Sequence, residues 1–147
     1  MEGTKLKLGY WKIRGLVEPA RYMLAYVGAD YEEVLYEQGE GPDFDRTCWT
    51  DVKPTLDLDF PNLPYMIDGD VRITESTAIL RYIANKWNTD LLGKTLKDKA
   101  HVDMISYLAA EYKARASPLC YTQDDKKLVA EKRKEKIDLI IKYLGEK

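Results

Sequence analysis

The stretch Asp59-Phe60-Pro61-Asn62-Leu63-Pro64-Tyr65-Met66-Ile67-Asp68-Gly69-Asp70-Val71-Arg72-Ile73-Thr74-Glu75-Ser76 decides how the first two-thirds of the chain is read. Pro64 follows a loop and enters a short apolar run, Tyr65-Met66-Ile67. A tight entry into a strand is where an X-Pro bond tolerates the cis isomer, so Leu63–Pro64 is a candidate. Asp68-Gly69-Asp70 is a hairpin signal, with Gly69 free to take positive φ. Val71-Arg72-Ile73 then reads as the partner strand, with side chains alternating in and out. Thr74, Glu75 and Ser76 offer capping chemistry to a helix whose apolar side is Ile79, Leu80, Tyr82 and Ile83. A bent proline loop and a helix start side by side expose backbone N–H groups, which suits an anion or a peptide-like ligand.

Upstream, Leu6 to Tyr10 alternates apolar and polar residues and predicts a half-buried strand. After the loop Trp11–Gly15, the spacing of Leu16, Ala20, Met23 or Leu24, and Val27 predicts a helix. Pro19 fits only its first turn, and Gly28 suits its C-terminus. Tyr31 to Tyr36 predicts a second strand, completing a right-handed βαβ unit with a parallel pair. Gln38 to Asp59 is a long connection with room for a short helix around Trp49, which Pro54 stops from growing. The sum, βαβ followed by ββα, is a mixed four-stranded sheet with helices on both faces, the thioredoxin-like arrangement.

Downstream, the chain turns all-helical. Residues 1–88 form the α/β domain, 89–96 a linker and 97–147 a partial helical domain. His101 to Ala116 carries Val102, Ile105, Leu108, Ala109 and Tyr112 on one face, and Ser117-Pro118 should interrupt it. A last helix should open at Asp124-Asp125, show the apolar face Leu128, Ile137, Ile140, Ile141 and Leu144, and end at Gly145.

Composition narrows the function classes. With 33% charged and 45% hydrophobic residues the chain is a soluble globular protein. Its net charge of −2 argues against nucleic acid as a partner. No apolar run reaches membrane-spanning length, and the N-terminus lacks the apolar core of a signal peptide, which points to a cytoplasmic protein. Cys48 and Cys120 stand far apart and read as reduced thiols; with His101 the only histidine, no metal site is expected.

Tyr10, at the end of the first strand, is open to two readings. It is a half-buried aromatic, or a phenol that hydrogen-bonds an anion beside Pro64 and Ser76. Trp11, Arg46, Trp49 and Lys53 are donors that would line a pocket for an acidic peptide-like ligand. Glu75 and Ser76 are by default a helix cap.

Three long motifs then add a family. Leu8-Gly9-Tyr10-Trp11-Lys12-Ile13-Arg14-Gly15-Leu16, Asp43-Phe44-Asp45-Arg46-Thr47-Cys48-Trp49 and Leu58-Asp59-Phe60-Pro61-Asn62-Leu63-Pro64-Tyr65 resemble, in register, the mu-class glutathione transferases. The resemblance runs over roughly residues 5 to 88 and implies conjugation of glutathione to small electrophiles. Glutathione is then a cosubstrate, and no cofactor is needed. By position it implies that Tyr10 stabilises the thiolate and that Trp11, Leu16, Arg46, Trp49 and Lys53 hold the glycine end and the pocket walls. Asn62 and Leu63, beside cis Pro64, would pair with the cysteinyl backbone. Glu75 and Ser76 would grip the γ-glutamyl end, with Glu75 replacing the family's glutamine. A carboxylate there would hold the ammonium and repel the neighbouring carboxylate.

More thinly, the resemblance implies that Glu111 reaches the partner subunit's glutathione, that Tyr121 bonds the electrophile, and that Phe60 is the aromatic key of a homodimer. The family's helical domain is cut short after Ile137–Lys147, leaving Ile137, Ile140, Ile141 and Leu144 as a stripe that suits a partner. A second reading follows: a transferase-derived subunit of a larger assembly joined through the last helix, with reduced or no activity. A fragment of a longer transferase is a third.

Overall fold

A computed structural model of the chain describes residues 5–121 and, beyond them, Lys134, Asp138, Ile141, Lys142 and Gly145; for 115–121 it describes the backbone alone. The chain divides into two compact units, Met1–Lys99 and Ala100–Lys147. The first unit runs β1 (Leu6–Trp11), α1 (Glu18–Tyr26), β2 (Tyr31–Tyr36), α2 (Thr47–Thr50), β3 (Tyr65–Asp68), β4 (Val71–Thr74) and α3 (Ser76–Trp87). The strands form one sheet in the order β2-β1-β3-β4. β1 and β2 are parallel, while β1–β3 and β3–β4 are antiparallel. That is the expected βαβ-ββα sheet, and the hairpin turn falls on Gly69 at φ 64°.

Strand alternation explains the two faces. Leu6, Leu8 and Tyr10 point one way from β1 and Met66 joins them from β3, opposite Leu8. Val17, Ala20 and Leu24 from the α1 side and Ile79 and Ile83 of α3 complete this buried layer. Each fully buried aliphatic here contributes about 1.5–3 kcal/mol. On the opposite face lie Gly9, Trp11, Tyr36 and Tyr65, covered by Trp49 of α2, whose ring stacks on Tyr65 at 6.1 Å.

Pro19 sits in the first turn of α1 and Gly28, at φ 66°, just past its end, as their backbone preferences require. Leu16 stands outside the helix and is exposed, so the apolar spacing that started there overreached by one residue pair. The entry to α3 corrects the capping expectation. Glu75 takes a left-handed backbone, φ 70° and ψ 114°, and its side chain makes no capping hydrogen bond. Backbone conformation turns the chain out of β4 there, at a cost of order 1 kcal/mol for a residue with a Cβ.

The linker contains structure of its own. Thr89–Leu92 forms a single 3₁₀ turn, with the Asn88 side chain accepting from the Asp90 N–H at 3.2 Å. Thr95 and Asp98 then cap α4 (Leu96–Tyr121) reciprocally. The Thr95 N–H donates to Asp98 Oδ2 at 3.0 Å and the Asp98 N–H donates to Thr95 Oγ1 at 3.1 Å. The break expected at Ser117-Pro118 does not occur, since the backbone stays helical to Tyr121. Proline removes one donor, and in a helix of 26 residues the bonds on either side outweigh it. In the second unit, Met104, Tyr107 and Leu108 are exposed. Of the expected last helix, Lys134, Asp138, Ile141, Lys142 and Gly145 are helical. Asp124, Asp125, Leu128, Ile137, Ile140 and Leu144 lie outside the described residues.

Asp68 ties the hairpin to α3. Tyr82 donates to its Oδ2 at 2.8 Å and Lys86 pairs with the same oxygen. Burial opposes the charge on Asp68, but the hydrogen bonds from Lys86 and Tyr82 outweigh it and hold the carboxyl below its ordinary range. Burial, and then the Asp68 carboxylate, push the Tyr82 phenol up to about 12.

Two predictions follow from this packing. A Cβ at Gly9 would lie 2.1 Å from Tyr65 Cε1. Gly9→Ala should therefore cost about 3 kcal/mol, read as a lower urea midpoint at unchanged slope. Because the folded Asp68 carboxyl is depressed, its stabilisation is complete above the unfolded value of about 4 and is lost as pH falls through the lower folded one. Asp68→Asn should lower stability near neutrality and flatten the acid limb below about pH 4, as urea titrations across pH will read.

Candidate functional site

Topology brings the site residues to one end of the sheet. β1 and β2 finish there at Trp11 and Tyr36, β3 starts there at Tyr65, and β4 finishes there at Thr74. Tyr10, Pro64 and Ser76 thus share that end, the first two one residue from a strand terminus and Ser76 two residues past β4.

Tyr10 is buried, 6% exposed, on the helix-covered face. Its ring reaches under the loop that follows β1, and its hydroxyl accepts a hydrogen bond from the Leu16 N–H at 3.0 Å. Gly15, at φ 43°, leaves the space the phenol fills: a Cβ there would stand 2.5 Å from Tyr10 Oη. The hydroxyl oxygen is engaged as an acceptor, so its single hydrogen is left to donate. A donor already accepting an N–H bond is also the stronger for it.

On the other face four aromatic rings run in contact. Trp11 meets Tyr36 edge-on at 6.3 Å, Tyr36 meets Trp49 edge-on at 5.2 Å, and Trp49 stacks on Tyr65. The Tyr36 and Tyr65 hydroxyls bond each other at 3.0 Å. Burial first, then that bond, pushes the Tyr65 phenol well above its ordinary range. Trp49 is itself a core residue, 7% exposed, and Trp11 is half-buried.

α2 is placed by its flanks. The Asp45 carboxylate accepts the Thr47 hydroxyl at 2.7 Å and the Thr47 N–H at 3.0 Å, bonds that hold it below the usual carboxylate range. Cys48 Sγ donates to the Glu37 carbonyl at 3.1 Å, pinning α2 beside the end of β2. Arg46 is exposed at the N-cap and Lys53 is half-buried at the following 3₁₀ turn, Lys53–Thr55.

The Leu63–Pro64 bond is cis. Leu63 is buried, and its N–H donates to the Asn62 side chain at 2.9 Å. A ligand carbonyl that used this N–H would have to displace that amide. Glu75 is exposed and Ser76, the first residue of α3, is half-buried. Phe60 is 80% exposed on the loop before β3. Glu111 is exposed on α4 within the second unit, and the side chain of Tyr121 lies outside the described residues.

Sequence reading missed Gly9, Gly15, Tyr36 and Tyr65 as parts of this site. Their roles depend on strand register, which puts Tyr36 opposite Trp11 and Tyr65 opposite Gly9. A glycine directly before or five residues after a tyrosine carries no such signal by itself.

The sheet, with a buried tyrosine near the end of β1 and a cis-proline just before β3, defines a thioredoxin-like class of fold. Residues 6–85 match the family described as "Glutathione S-transferase, N-terminal domain". The chain belongs to the glutathione S-transferase family. It is 48% identical over 125 residues to human glutathione S-transferase Mu 3, covering 85% of this chain and 55% of that one. Against mouse glutathione S-transferase Mu 4 it is 43% identical over 145 residues, covering 97% of this chain and 66% of that one. The chain thus spans between about half and two-thirds of the length of these mu-class relatives. Among solved structures, the glutathione S-transferase Blo t 8 superposes with TM-score 0.77 at 31% identity, over 94% of this chain and 62% of that one. The glutathione S-transferase from Ascaris lumbricoides gives 0.76 at 27% identity, over 97% and 69%. Among the described residues no helix is long and apolar enough to cross a membrane.

Two glycines test the seat of Tyr10. Gly28 has φ 66° with nothing near its absent Cβ, whereas Gly15 has φ 43° with Tyr10 in the way. Gly28→Ala should cost about 1 kcal/mol for backbone strain alone. Gly15→Ala should cost about twice that and shift the Leu16 amide resonance, which Gly28→Ala leaves in place.

Proposed function

We propose that this chain binds glutathione at the shared strand ends and conjugates its sulfur to small electrophiles. The observation that carries the reading is the Tyr10 hydroxyl, buried and engaged by the Leu16 N–H, with its own hydrogen left to donate. That hydrogen bonds the glutathione sulfur as a thiolate. Trp11, Leu16, Arg46, Trp49 and Lys53 hold the glycine end and the pocket wall. Asn62 and Leu63, next to Pro64, meet the cysteinyl backbone, and Glu75 and Ser76 hold the γ-glutamyl end. The names of the relatives support transferase chemistry, and nothing among them favours a purely structural subunit.

The energetics are modest. A free thiol, pKa about 8.5, is only a few per cent thiolate at neutral pH. Lowering it by about two units requires about 2.7 kcal/mol of preference for the anion. A charge-assisted hydrogen bond from the phenol, with help from the N-terminal dipole of α3, supplies that order. The thiolate then forms a carbon–sulfur bond. The electrophile either expels its leaving group or, in an addition, takes up a proton from water. The reaction needs no metal or redox cofactor, since glutathione is a cosubstrate.

The same reading makes the protein a cytoplasmic detoxification enzyme. In it Phe60 serves as the key of a homodimer, Glu111 reaches the partner subunit's glutathione, and Tyr121 donates to the electrophile.

Absorbance of the thiolate of bound glutathione, titrated against pH, tests the proposal. The midpoint should lie near pH 6.5, about two units below free thiol. In Tyr10→Phe it should return close to the free value with glutathione affinity largely kept. Binding without ionisation in the unaltered chain would refute the catalytic reading, and absence of binding would refute the site.

A further inference from the structure

The hydrogen bond from Leu16 to Tyr10 depends on where the backbone of residues 12–16 lies. That loop is anchored at its start by the Lys12 N–H, which donates to the Tyr36 carbonyl at 2.8 Å. Its middle turns tightly, with the Ile13 N–H donating to the Trp11 carbonyl at 2.7 Å. The Ile13 and Arg14 side chains are exposed, 53% and 84%, and pack against little. Packing therefore does not fix the loop.

A guanidinium does. Arg21 Nη1 donates to the Ile13 carbonyl at 2.9 Å and to Glu18 Oε2 at 2.8 Å. Its Nε pairs with Glu33 of β2. The Arg21 and Glu18 side chains are only 18% and 19% exposed, and that of Glu33 is 32% exposed. The other ionisable groups around it are Arg14, 3.8 Å from Glu18, together with Tyr22 and Tyr31. Burial opposes the charge on Arg21, but Glu18 and Glu33 outweigh it, so the cation is permanent. The hydrogen bond from Arg21 is also the chief influence that holds the Glu18 carboxyl below its ordinary range.

We propose that Arg21, held between Glu18 and Glu33, is the positioning residue that sets the orientation of the Tyr10 hydroxyl by fixing the loop through the Ile13 carbonyl. The planar fork is what allows three partners in fixed directions; an ammonium is a single point of charge and cannot reproduce it. Glu33 joins the device from a strand of the sheet, so the loop is referenced to the same frame that carries Tyr10. The catalytic part of this inference rests on the proposed glutathione reaction, whereas the positioning part does not.

The test compares Arg21→Lys, Glu33→Gln and, as a remote control, Asp68→Asn. Hydrogen exchange of the Leu16 amide in the unligated chain reads positioning directly. Its protection should fall about tenfold in the first two variants and stay unchanged in the control after correction for global stability. The midpoint of the bound glutathione thiol should rise by about one pH unit in Arg21→Lys, less in Glu33→Gln and not at all in Asp68→Asn. Glutathione affinity should change little in any of them. Unchanged Leu16 protection in both Arg21→Lys and Glu33→Gln would overturn the proposal, as would an equal effect in Asp68→Asn. If protection falls as expected but the unaltered chain never ionises glutathione, the positioning role stands and the transferase reading fails.

Discussion

The contact between Gly9 and the ring of Tyr65 is the constraint on which the rest of the first unit depends. A strand residue without a side chain lets an aromatic ring from the neighbouring strand lie flat on the sheet. The ring then carries Trp49 on its outer side and meets Tyr36 through their hydroxyls. One missing methyl group thereby sets the thickness of the α2 face and the register between β1 and β3. It also places the cis-proline one residue before Tyr65 alongside the residue that follows Gly9, which is Tyr10.

Convergence at one sheet end does the rest. A parallel pair followed by two antiparallel ones brings the termini of β1, β2 and β4 and the beginning of β3 together. Loops leaving such an end face a common space, which is where open α/β sheets hold ligands.

Much of this was legible in the sequence, and the failures have physical causes. Alternation in Leu6–Tyr10, the Asp68-Gly69-Asp70 turn and the apolar spacing after Ser76 are local, so the strands, the hairpin and α3 could be read directly. The proline-bearing entry to β3 could be read for the same reason. The start of α3 could not. Capping residue types were present, but the left-handed turn at Glu75 did the work instead. Ser117-Pro118 predicts a break, yet the helix runs through it to Tyr121. The Thr95–Asp98 cap is a local pattern that falls at the edge of a stretch whose weak periodicity predicts only a linker. Of the site, Tyr10 is legible as a half-buried aromatic or an anion-binding phenol at the end of the first strand. Its bond to Leu16, and the Arg21 fork behind that bond, join residues whose proximity only the folded loop creates.

Tyr10 is bracketed by two glycines whose missing side chains are both occupied by tyrosine rings: Tyr65 over Gly9 and Tyr10 itself over Gly15. Sequence drift at either glycine is blocked by sterics before function is consulted. Between them the chain is permissive, since Ile13 and Arg14 project into solvent and the loop is held by its backbone. The neighbourhood of the phenol thus combines two frozen positions with two freely varying ones within seven residues, Gly9 to Gly15. Innovation around such a site can change what the loop tip offers to solvent while the aim of the hydroxyl is inherited unaltered.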